Sequence, residues 1–458
     1  MKKLLIPLIA IACISCKDDA KVDYALLNGK IINKPVGDFT INSYDGLIKN
    51  PIAVGEDGSF VDTLRVKEGT YVLYDGANPT FIYIKPGINL SINYDAKDFQ
   101  NSINITGNGS EASNYLQLKK EKEKELFGSN PGEVYSLDET AYKAKLNDYK
   151  AALTDLISST KNVPDEFVNQ EKRNANYFYL FLLTQYERAH AHFSKQQGFK
   201  VSEDFLNELD AIDYNNGSDF EFSPKYKQLV TLHYKEAVSE TMKVDSLDYN
   251  AAFFKVAKTI DNETIKNGLV FDFAKNGLTY AKDLKTFYND FMSVSTNESH
   301  KAELTKSYNK LKALAKGEPS PAFVNYENFK GGKTSLHDLK GKYVYVDVWA
   351  TWCGPCKREI PFLKDVEQKY HGKNIEFVSI SVDKASDYDK WKQMIEEQDL
   401  KGIQLFADKS WNSDFVQGYQ IKGIPRFILI DPDGNIVSPN APRPSNPELI
   451  SLFTSLNI

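Results

Sequence analysis

Two cysteines in the C-terminal third of the chain are spaced for redox chemistry. Cys353 and Cys356 lie in the stretch Trp-Cys-Gly-Pro-Cys. Residues three apart at the start of a helix should fall within the roughly 4.4–6.8 Å Cα separation that a disulfide needs. Such a pair allows a two-step exchange, in which Cys353 attacks a substrate disulfide and Cys356 then attacks Cys353 and releases the reduced substrate. The spacing therefore predicts a dithiol that reacts with disulfides.

The residues around this pair predict a strand that leads into a helix. Residues 343–349 are apolar on both faces except for Asp347, which is typical of a buried central strand. Pro355 suits the first turn of a helix that continues to about Tyr370. Cys353 should then lie at the helix N-terminus, where the helix dipole and the free N–H groups stabilise a thiolate and lower its pKa.

Composition excludes several other classes of protein. The chain has 458 residues, of which 41% are apolar and 26% charged, and this indicates two or three globular domains. The net charge of −6 provides no basic surface for nucleic acid. With only four cysteines, in two distant pairs, a disulfide-stapled scaffold is excluded and a four-ligand zinc site is disfavoured. We therefore expect no metal and no cofactor.

The N-terminus is typical of an export signal. A basic start precedes an apolar run at residues 4–14, which is too short to span a bilayer as a helix. The run ends in small residues before Cys16, and a charged stretch at 17–19 follows. This arrangement resembles a bacterial lipoprotein signal at residues 1–16, in which Cys16 is lipidated and becomes the mature N-terminus. Cys13 as the lipidated residue, or an ordinary cleaved signal peptide, are the alternatives.

Three regions follow the signal. Residues 22–108 contain short apolar runs joined by Asp-Gly and Pro-Gly turns, which predict a small antiparallel β-sandwich or barrel. Residues 110–316 predict an all-α region, whose clearest helix begins with a capping box at 136–139 and whose many aromatic residues fill a core or, alternatively, line a peptide-binding groove. After a Gly- and Pro-containing linker, alternating strand and helix patterns at 318–458 predict an α/β domain.

The C-terminal region resembles the thioredoxin superfamily. Residues 352–357, Trp-Cys-Gly-Pro-Cys-Lys, carry the thioredoxin active-site pattern, and the stretches at 336–342, 349–352 and 359–361 resemble the membrane-tethered TlpA/ResA branch. The resemblance covers about residues 318–458 and implies a thioredoxin-like fold. The β-region resembles the small β-domain of unknown function that precedes such domains in many lipoproteins.

The resemblance also implies a substrate-binding surface beside the dithiol. Pro425 matches the cis-proline of the family, which packs beside the dithiol and leaves the backbone of Ile424 free to pair with an extended substrate. Trp352, directly before Cys353, is expected to contact the substrate as well.

Two acids are expected to support proton transfer. Asp347 matches the buried acid of thioredoxins, and desolvation should raise its pKa into a range that suits proton exchange with Cys356. An acid held by ordinary hydrogen bonds is the alternative. Glu359 occupies a position where the tethered branch often has a glutamate near the dithiol, and a solvated helix charge is the alternative.

These features together predict a membrane-tethered oxidoreductase that reduces disulfides of exported proteins. Its electrons would come from a membrane or periplasmic donor, and its body would lie in the periplasm, anchored to the outer membrane, with surface exposure left open. One alternative is a ligand-binding lipoprotein with an accessory redox domain. Another is a peroxiredoxin-like peroxidase, but Thr351 lies two residues before Cys353, whereas the peroxidase pattern places threonine three residues before the cysteine.

Overall fold

A computed structural model describes residues 22–35, 37–43, 48–281 and 283–458. The predicted signal, with Cys13 and Cys16, lies outside these residues. The chain divides between Glu236 and Ala237 into two compact units, so the predicted helical region 110–316 is shared between them.

In the described part of the first unit, the chain begins with eight strands that form two sheets. The orders are β4-β1-β7-β8 and β3-β2-β5-β6. A short helix, α1 (Phe99–Ser102), precedes the last strand. The strands are β1 (Ala25–Ile32), β2 (Thr40–Ser43), β3 (Lys49–Pro51), β4 (Ser59–Leu64), β5 (Gly69–Tyr74), β6 (Pro79–Ile84), β7 (Asn89–Asp95) and β8 (Asn104–Asn108).

The N-terminal β-region differs from the prediction in one respect. It is not purely antiparallel, because β1 and β7 pair in parallel while their other neighbours are antiparallel. Parallel neighbours require a long connection, and the chain from β2 to β6 provides it. Side chains of both sheets, among them Leu27, Ile41, Ile82 and Ile92, are buried in one shared cluster. The two sheets are therefore stabilised by a common core.

Helices complete the first unit. Among the described residues, none of the helices of the chain is long and apolar enough to cross a membrane. In the first unit, buried aromatic residues of the helices, such as Tyr142, Tyr149 and Tyr186, fill the helical core, as the sequence indicates. The helices are α2 (Ser110–Phe127), α3 (Pro131–Tyr135), α4 (Glu139–Ser159), α5 (Asp165–Phe193), α6 (Gly217–Phe222) and α7 (Pro224–Asp245), the last of which contains the boundary between the units.

The start of α4 corrects the predicted capping box. Asp138, not Ser136, is the N-cap residue, because its side chain accepts a hydrogen bond of 2.8 Å from the N–H of Ala141. Ser136 instead terminates α3, where its N–H donates to the carbonyl of Gly132. The predicted helix is present, and its first turn begins two residues later than expected.

Within its described residues, the second unit combines four helices that precede a seven-stranded sheet with four more that connect or follow the strands. The helices that precede the sheet in the chain are α8 (Tyr249–Ala257), α9 (Glu263–Gly277), α10 (Leu284–Val294) and α11 (Glu298–Lys312). The strands are β9 (Tyr326–Asn328), β10 (Lys333–Thr334), β11 (Tyr343–Trp349), β12 (Ile375–Ser381), β13 (Ile403–Phe406), β14 (Arg426–Ile430) and β15 (Ile436–Ser438). The helices between and after the strands are α12 (Gly354–Lys369), α13 (Tyr388–Glu397), α14 (Asp414–Gly418) and α15 (Glu448–Ser455).

The sheet has the order β10-β9-β13-β12-β11-β14-β15. The strand that leads to the dithiol, β11, is central, and it pairs in parallel with β12 and antiparallel with β14. Its apolar side chains are buried on both faces, as the sequence predicts. A buried central strand is rigid, and it therefore fixes the point at which Cys353 begins the next helix.

Helices α8 to α11 share a hydrophobic core with this sheet. Phe254, Phe271 and Phe287 of the helices belong to the same buried cluster as Val346 and Trp349 of β11. Burial of apolar surface is the main stabilising term in a fold, so the helices and the sheet should fold as one body. The predicted linker at 315–321 separates them in the chain without separating their cores.

We expect Phe287→Ala to destabilise the sheet domain although it lies in α10. The ring is 4% exposed and packs against Phe254 and Phe273, so its loss should cost about 3–5 kcal/mol. All four tryptophans lie between positions 349 and 411, so tryptophan fluorescence during urea unfolding reports on the sheet domain alone.

The matched control is Asn289→Ala, at an exposed position of the same helix. A fluorescence transition that is the same in Phe287→Ala and in the parent chain would show that the helices and the sheet unfold separately.

Candidate active site

The two cysteines lie where the chain leaves the central strand. They form a disulfide with a Cα separation of 5.3 Å. Cys353 is the N-cap residue of α12, and its Sγ accepts a hydrogen bond of 3.1 Å from the N–H of Cys356. Both residues are buried, whereas the side chain of Trp352 before them is 56% exposed. The sulfur of Cys353 thus occupies the position that a side-chain cap usually fills at a helix N-terminus.

A buried carboxylate holds the loop between β11 and the dithiol. Asp383, which lies just after the end of β12, accepts hydrogen bonds from the N–H and the hydroxyl of Thr351 at 2.9 and 2.8 Å. The hydroxyl of Ser381 donates to the same carboxylate at 2.7 Å. Sequence reasoning missed Asp383. The sequence does contain a signal for it, because Asp383 is a polar residue at the carboxyl end of β12, a buried strand parallel to β11.

The peptide bond between Ile424 and Pro425 is cis. Pro425 precedes β14, and the pairing of Arg426 with Val348 brings it to the end of β11 from which the dithiol loop departs. The side chain of Ile424 packs partly buried against the core. Among the described residues, none forms a hydrogen bond with the backbone of Ile424. This backbone is therefore available to an extended chain, although its predicted role in substrate binding stays a prediction.

Asp347 is an acid in the central strand β11. The residue as a whole is half-buried, but its Oδ1 is inaccessible to solvent and has no hydrogen-bond partner among the described residues. Desolvation, reinforced by the charges of Glu367 and Glu359, raises the pKa of Asp347 from 3.8 to about 8. A carboxyl with this pKa can hold or release a proton near neutral pH.

Two glutamates of α12 contribute to this environment. Glu359 is buried and accepts hydrogen bonds of 3.0 Å from both the N–H and the hydroxyl of Ser445, so the alternative of a solvated helix charge is wrong. Its part in proton transfer stays a prediction. Glu367 was missed by sequence reasoning, although its position eight residues after Glu359 places both on one helix face. Burial raises the pKa of Glu367 to about 7.

The exposed tryptophan next to the dithiol in the chain lies close to a second tryptophan. Trp352 lies with its ring centroid 6.5 Å from that of Trp411, which precedes α14. Trp411 was not predicted, because it is 59 residues from Trp352 in the chain and carries no local motif. Within the described part of the chain, no group of histidine, cysteine, aspartate or glutamate side chains is arranged to hold a metal ion. The arrangement is suited to thiol chemistry at an apolar surface.

A dithiol at the N-terminus of the helix after a central strand, with a cis-proline at the adjacent strand end, defines a thioredoxin-like redox domain. The Redoxin family matches residues 315–449. The thiol-disulfide oxidoreductase ResA of Bacillus cereus ATCC 10987 is 30% identical over 130 residues, which are 28% of this chain and 72% of the relative. The chain therefore belongs to the ResA-like family of the thioredoxin superfamily.

Other relatives cover between 26% and 32% of the chain. ResA of Bacillus cereus strain ZK is 33% identical over 121 residues, and this chain spans 66% of that relative, just under two thirds. The thioredoxin-like protein YneN of Bacillus subtilis is 30% identical over 135 residues, which are 29% of this chain and 76% of the relative. A putative thiol-disulfide oxidoreductase from Bacteroides vulgatus, known in solution structure, is 49% identical and covers 32% of this chain and 93% of its own, with a TM-score of 0.28.

We expect Asp347→Asn to stabilise the fold, and more so at higher pH. Because burial raises the pKa of Asp347 to about 8, the folded chain keeps a proton that the unfolded chain releases above about pH 4. The free energy of unfolding should therefore fall as the pH rises from about 4 to 8, and the variant should lack this loss. We expect a gain on the order of 2 kcal/mol at pH 8 and a smaller one at pH 5.

Urea unfolding at both pH values, followed by tryptophan fluorescence, measures this difference. Asp365→Asn, at an exposed position of α12, is the control for removal of a carboxylate. A gain for Asp347→Asn that is equal at pH 5 and pH 8 would contradict the assignment of a raised pKa.

Proposed function

We propose that this protein is a thiol–disulfide oxidoreductase that reduces disulfides of exported proteins. The observation that carries the proposal is the Cys353–Cys356 disulfide at the start of α12, beside the exposed ring of Trp352. Membership of the ResA-like family supports it, because the relatives are named thiol-disulfide oxidoreductases.

The reaction requires only thiol exchange. The Cys353 thiolate attacks one sulfur of a substrate disulfide, forms a mixed disulfide and expels the other substrate sulfur as a thiolate. The Cys356 thiolate then attacks Cys353, which closes the disulfide seen in the structure and releases the second substrate thiol. Two electrons pass from the dithiol to the substrate. A membrane or periplasmic donor returns the dithiol to its reduced state, and the Gly-Pro pair between the cysteines favours the reducing direction.

Protons must move during the second attack. Cys356 reacts only as a thiolate, so its thiol proton needs an acceptor. The buried carboxylate of Asp347 on the adjacent strand, with a pKa of about 8, can take that proton near neutral pH. Glu359 and Glu367 raise the pKa of Asp347 through their charges and so tune this acceptor.

The environment of Thr351 disfavours the peroxidase alternative. Its N–H and its hydroxyl both donate to the carboxylate of Asp383, which engages the polar groups that a peroxide site would need. Thr351 is also separated from Cys353 by Trp352 alone, so it lies one position closer to the cysteine than the threonine of the peroxidase pattern.

We infer further that a lipid at Cys16 tethers the mature chain and that the redox domain lies in the periplasm. The small residues before Cys16 and the charged stretch after it support this placement. We also infer that the two N-terminal sheets face each other as a sandwich, because side chains of both are buried in one core.

We expect Cys353→Ala and Cys356→Ala to fail at different steps. With dithiothreitol as electron donor and insulin as substrate, Cys353→Ala should reduce insulin no faster than dithiothreitol alone, since the attacking sulfur is lost. Cys356→Ala that is first reduced and then freed of dithiothreitol should instead accumulate a mixed disulfide between Cys353 and insulin, detectable as a mass shift that added dithiothreitol reverses.

Turnover by Cys353→Ala at the rate of the parent chain would refute the assignment of the nucleophile. Consumption of hydrogen peroxide in preference to insulin would show that the protein is a peroxidase and not a disulfide reductase. A strongly oxidising reduction potential for the cysteine couple would reverse the direction of electron flow.

We expect Cys16→Ser to abolish lipid attachment. In a Gram-negative host that is fed radiolabelled palmitate, the parent chain should be labelled and should fractionate with membranes, whereas Cys16→Ser should be unlabelled. Cys13→Ser is the matched control and should keep the label. Loss of label in Cys13→Ser alone would move the anchor to Cys13.

A further inference from the structure

The segment before the cis-proline is held by the helices that precede the sheet in the chain. The hydroxyl of Tyr280, in the turn after α9, donates a hydrogen bond of 3.0 Å to the carbonyl of Gly423. The guanidinium of Arg426, directly after Pro425, donates to the carbonyl of Thr279 at 2.9 Å. Two successive residues of this turn, Thr279 and Tyr280, are therefore hydrogen-bonded to the residues on either side of the Ile424–Pro425 peptide.

Arg426 makes this attachment rigid. Its side chain is 2% exposed, its Nε donates to the carbonyl of Pro439 at 3.0 Å, and its guanidinium carbon lies 5.0 Å from the ring centroid of Tyr280. A guanidinium donates in a fixed planar geometry, and its attraction to an aromatic face adds to that constraint. The buried cation thus fixes the orientation of the Tyr280 ring as well as the path of the backbone.

Tyr280 nevertheless remains accessible. It is 39% exposed, although its hydroxyl and one face of its ring are engaged. A Cβ placed on Gly423 would come within 2.9 Å of the tyrosine oxygen, so the ring stands immediately beside the backbone that leads to Ile424. The backbone of Ile424 forms no hydrogen bond with the described residues. An oriented and exposed aromatic ring thus adjoins a free stretch of backbone.

We propose that Tyr280 is a specificity-determining residue that contacts an extended polypeptide next to its disulfide-bonded cysteine. The proposal rests on the proposed reductase function. A chain that pairs with the backbone of Ile424 would pass the ring of Tyr280, and a rigid aromatic side chain offers contact area at low entropic cost. A small disulfide that reaches only Cys353 would not extend to this ring. Tyr280 should therefore favour polypeptide disulfides over small ones.

The test compares two disulfides reacting with the same reduced full-length chain. We measure second-order rate constants for oxidation of the chain by insulin, a polypeptide disulfide, and by 5,5′-dithiobis(2-nitrobenzoate), a small aromatic disulfide. Tyr280→Ala should slow the reaction with insulin by about 3- to 10-fold, as expected for the loss of one aromatic contact with the substrate. Its reaction with the small disulfide should stay within about twofold of the parent chain.

Two further variants separate the ring from its anchor. Tyr280→Phe keeps the ring but loses the bond to Gly423, so it should retain most of the rate with insulin. Tyr249→Ala removes a tyrosine at the start of α8 that is also 39% exposed and whose ring contacts Phe253 and Phe273, so both of its rates should match the parent.

Equal losses with both disulfides in Tyr280→Ala would overturn the proposal, because they would show a general disturbance of the dithiol. Unchanged rates with both disulfides would overturn it too. A parent chain that reduces neither disulfide would instead remove the proposed function itself. The reduction potential of Tyr280→Ala should equal that of the parent, and a changed potential would assign the effect to the dithiol.

Discussion

The position of the Cys353 sulfur at the N-terminus of α12 is the constraint on which the rest of the redox unit depends. The central strand β11 delivers the chain to this point, and the N–H of Cys356 already donates to the sulfur in the disulfide form. After reduction, the same helix end offers free N–H groups and a positive dipole to a thiolate. The reacting atom is thus stabilised by backbone groups that every helix has, provided that the loop before it is held in place.

Charged groups buried around this point serve different purposes. Asp383 accepts hydrogen bonds from three donors and holds the loop in place. Asp347 has no partner for its Oδ1 among the described residues, so its ionisation is costly and its pKa is raised. Arg426 is a buried cation that directs its donors at backbone carbonyls. The role of a buried charged group therefore depends on how many hydrogen-bond partners it has, and not on burial alone.

Local sequence was sufficient for the parts of the site that lie on one strand and one helix. Cys353, Cys356 and the buried position of Asp347 follow from a contiguous stretch, and Pro425 was predicted from a short motif beside a strand. The residues that sequence reasoning missed act over long separations, because they depend on how the chain packs. Tyr280 reaches a carbonyl 143 residues away, and Thr351 and Asp383, which are 32 positions apart, have a whole helix between them. The parallel pairing of β1 with β7 was missed for the same reason, since turn signals do not specify which strands become neighbours.

The core shared by α8 to α11 and the sheet has a consequence for how this chain can vary or be recombined. A graft that exchanged the redox domain at the 315–321 stretch would divide a single core and leave Arg426 and Tyr280 facing foreign surfaces. A junction in α7, near the boundary at Glu236, would instead transfer the helices together with the dithiol. If selection preserves folded cores, the segment of the chain that is inherited as one piece in this family should therefore begin well before the recognisable thioredoxin-like sequence.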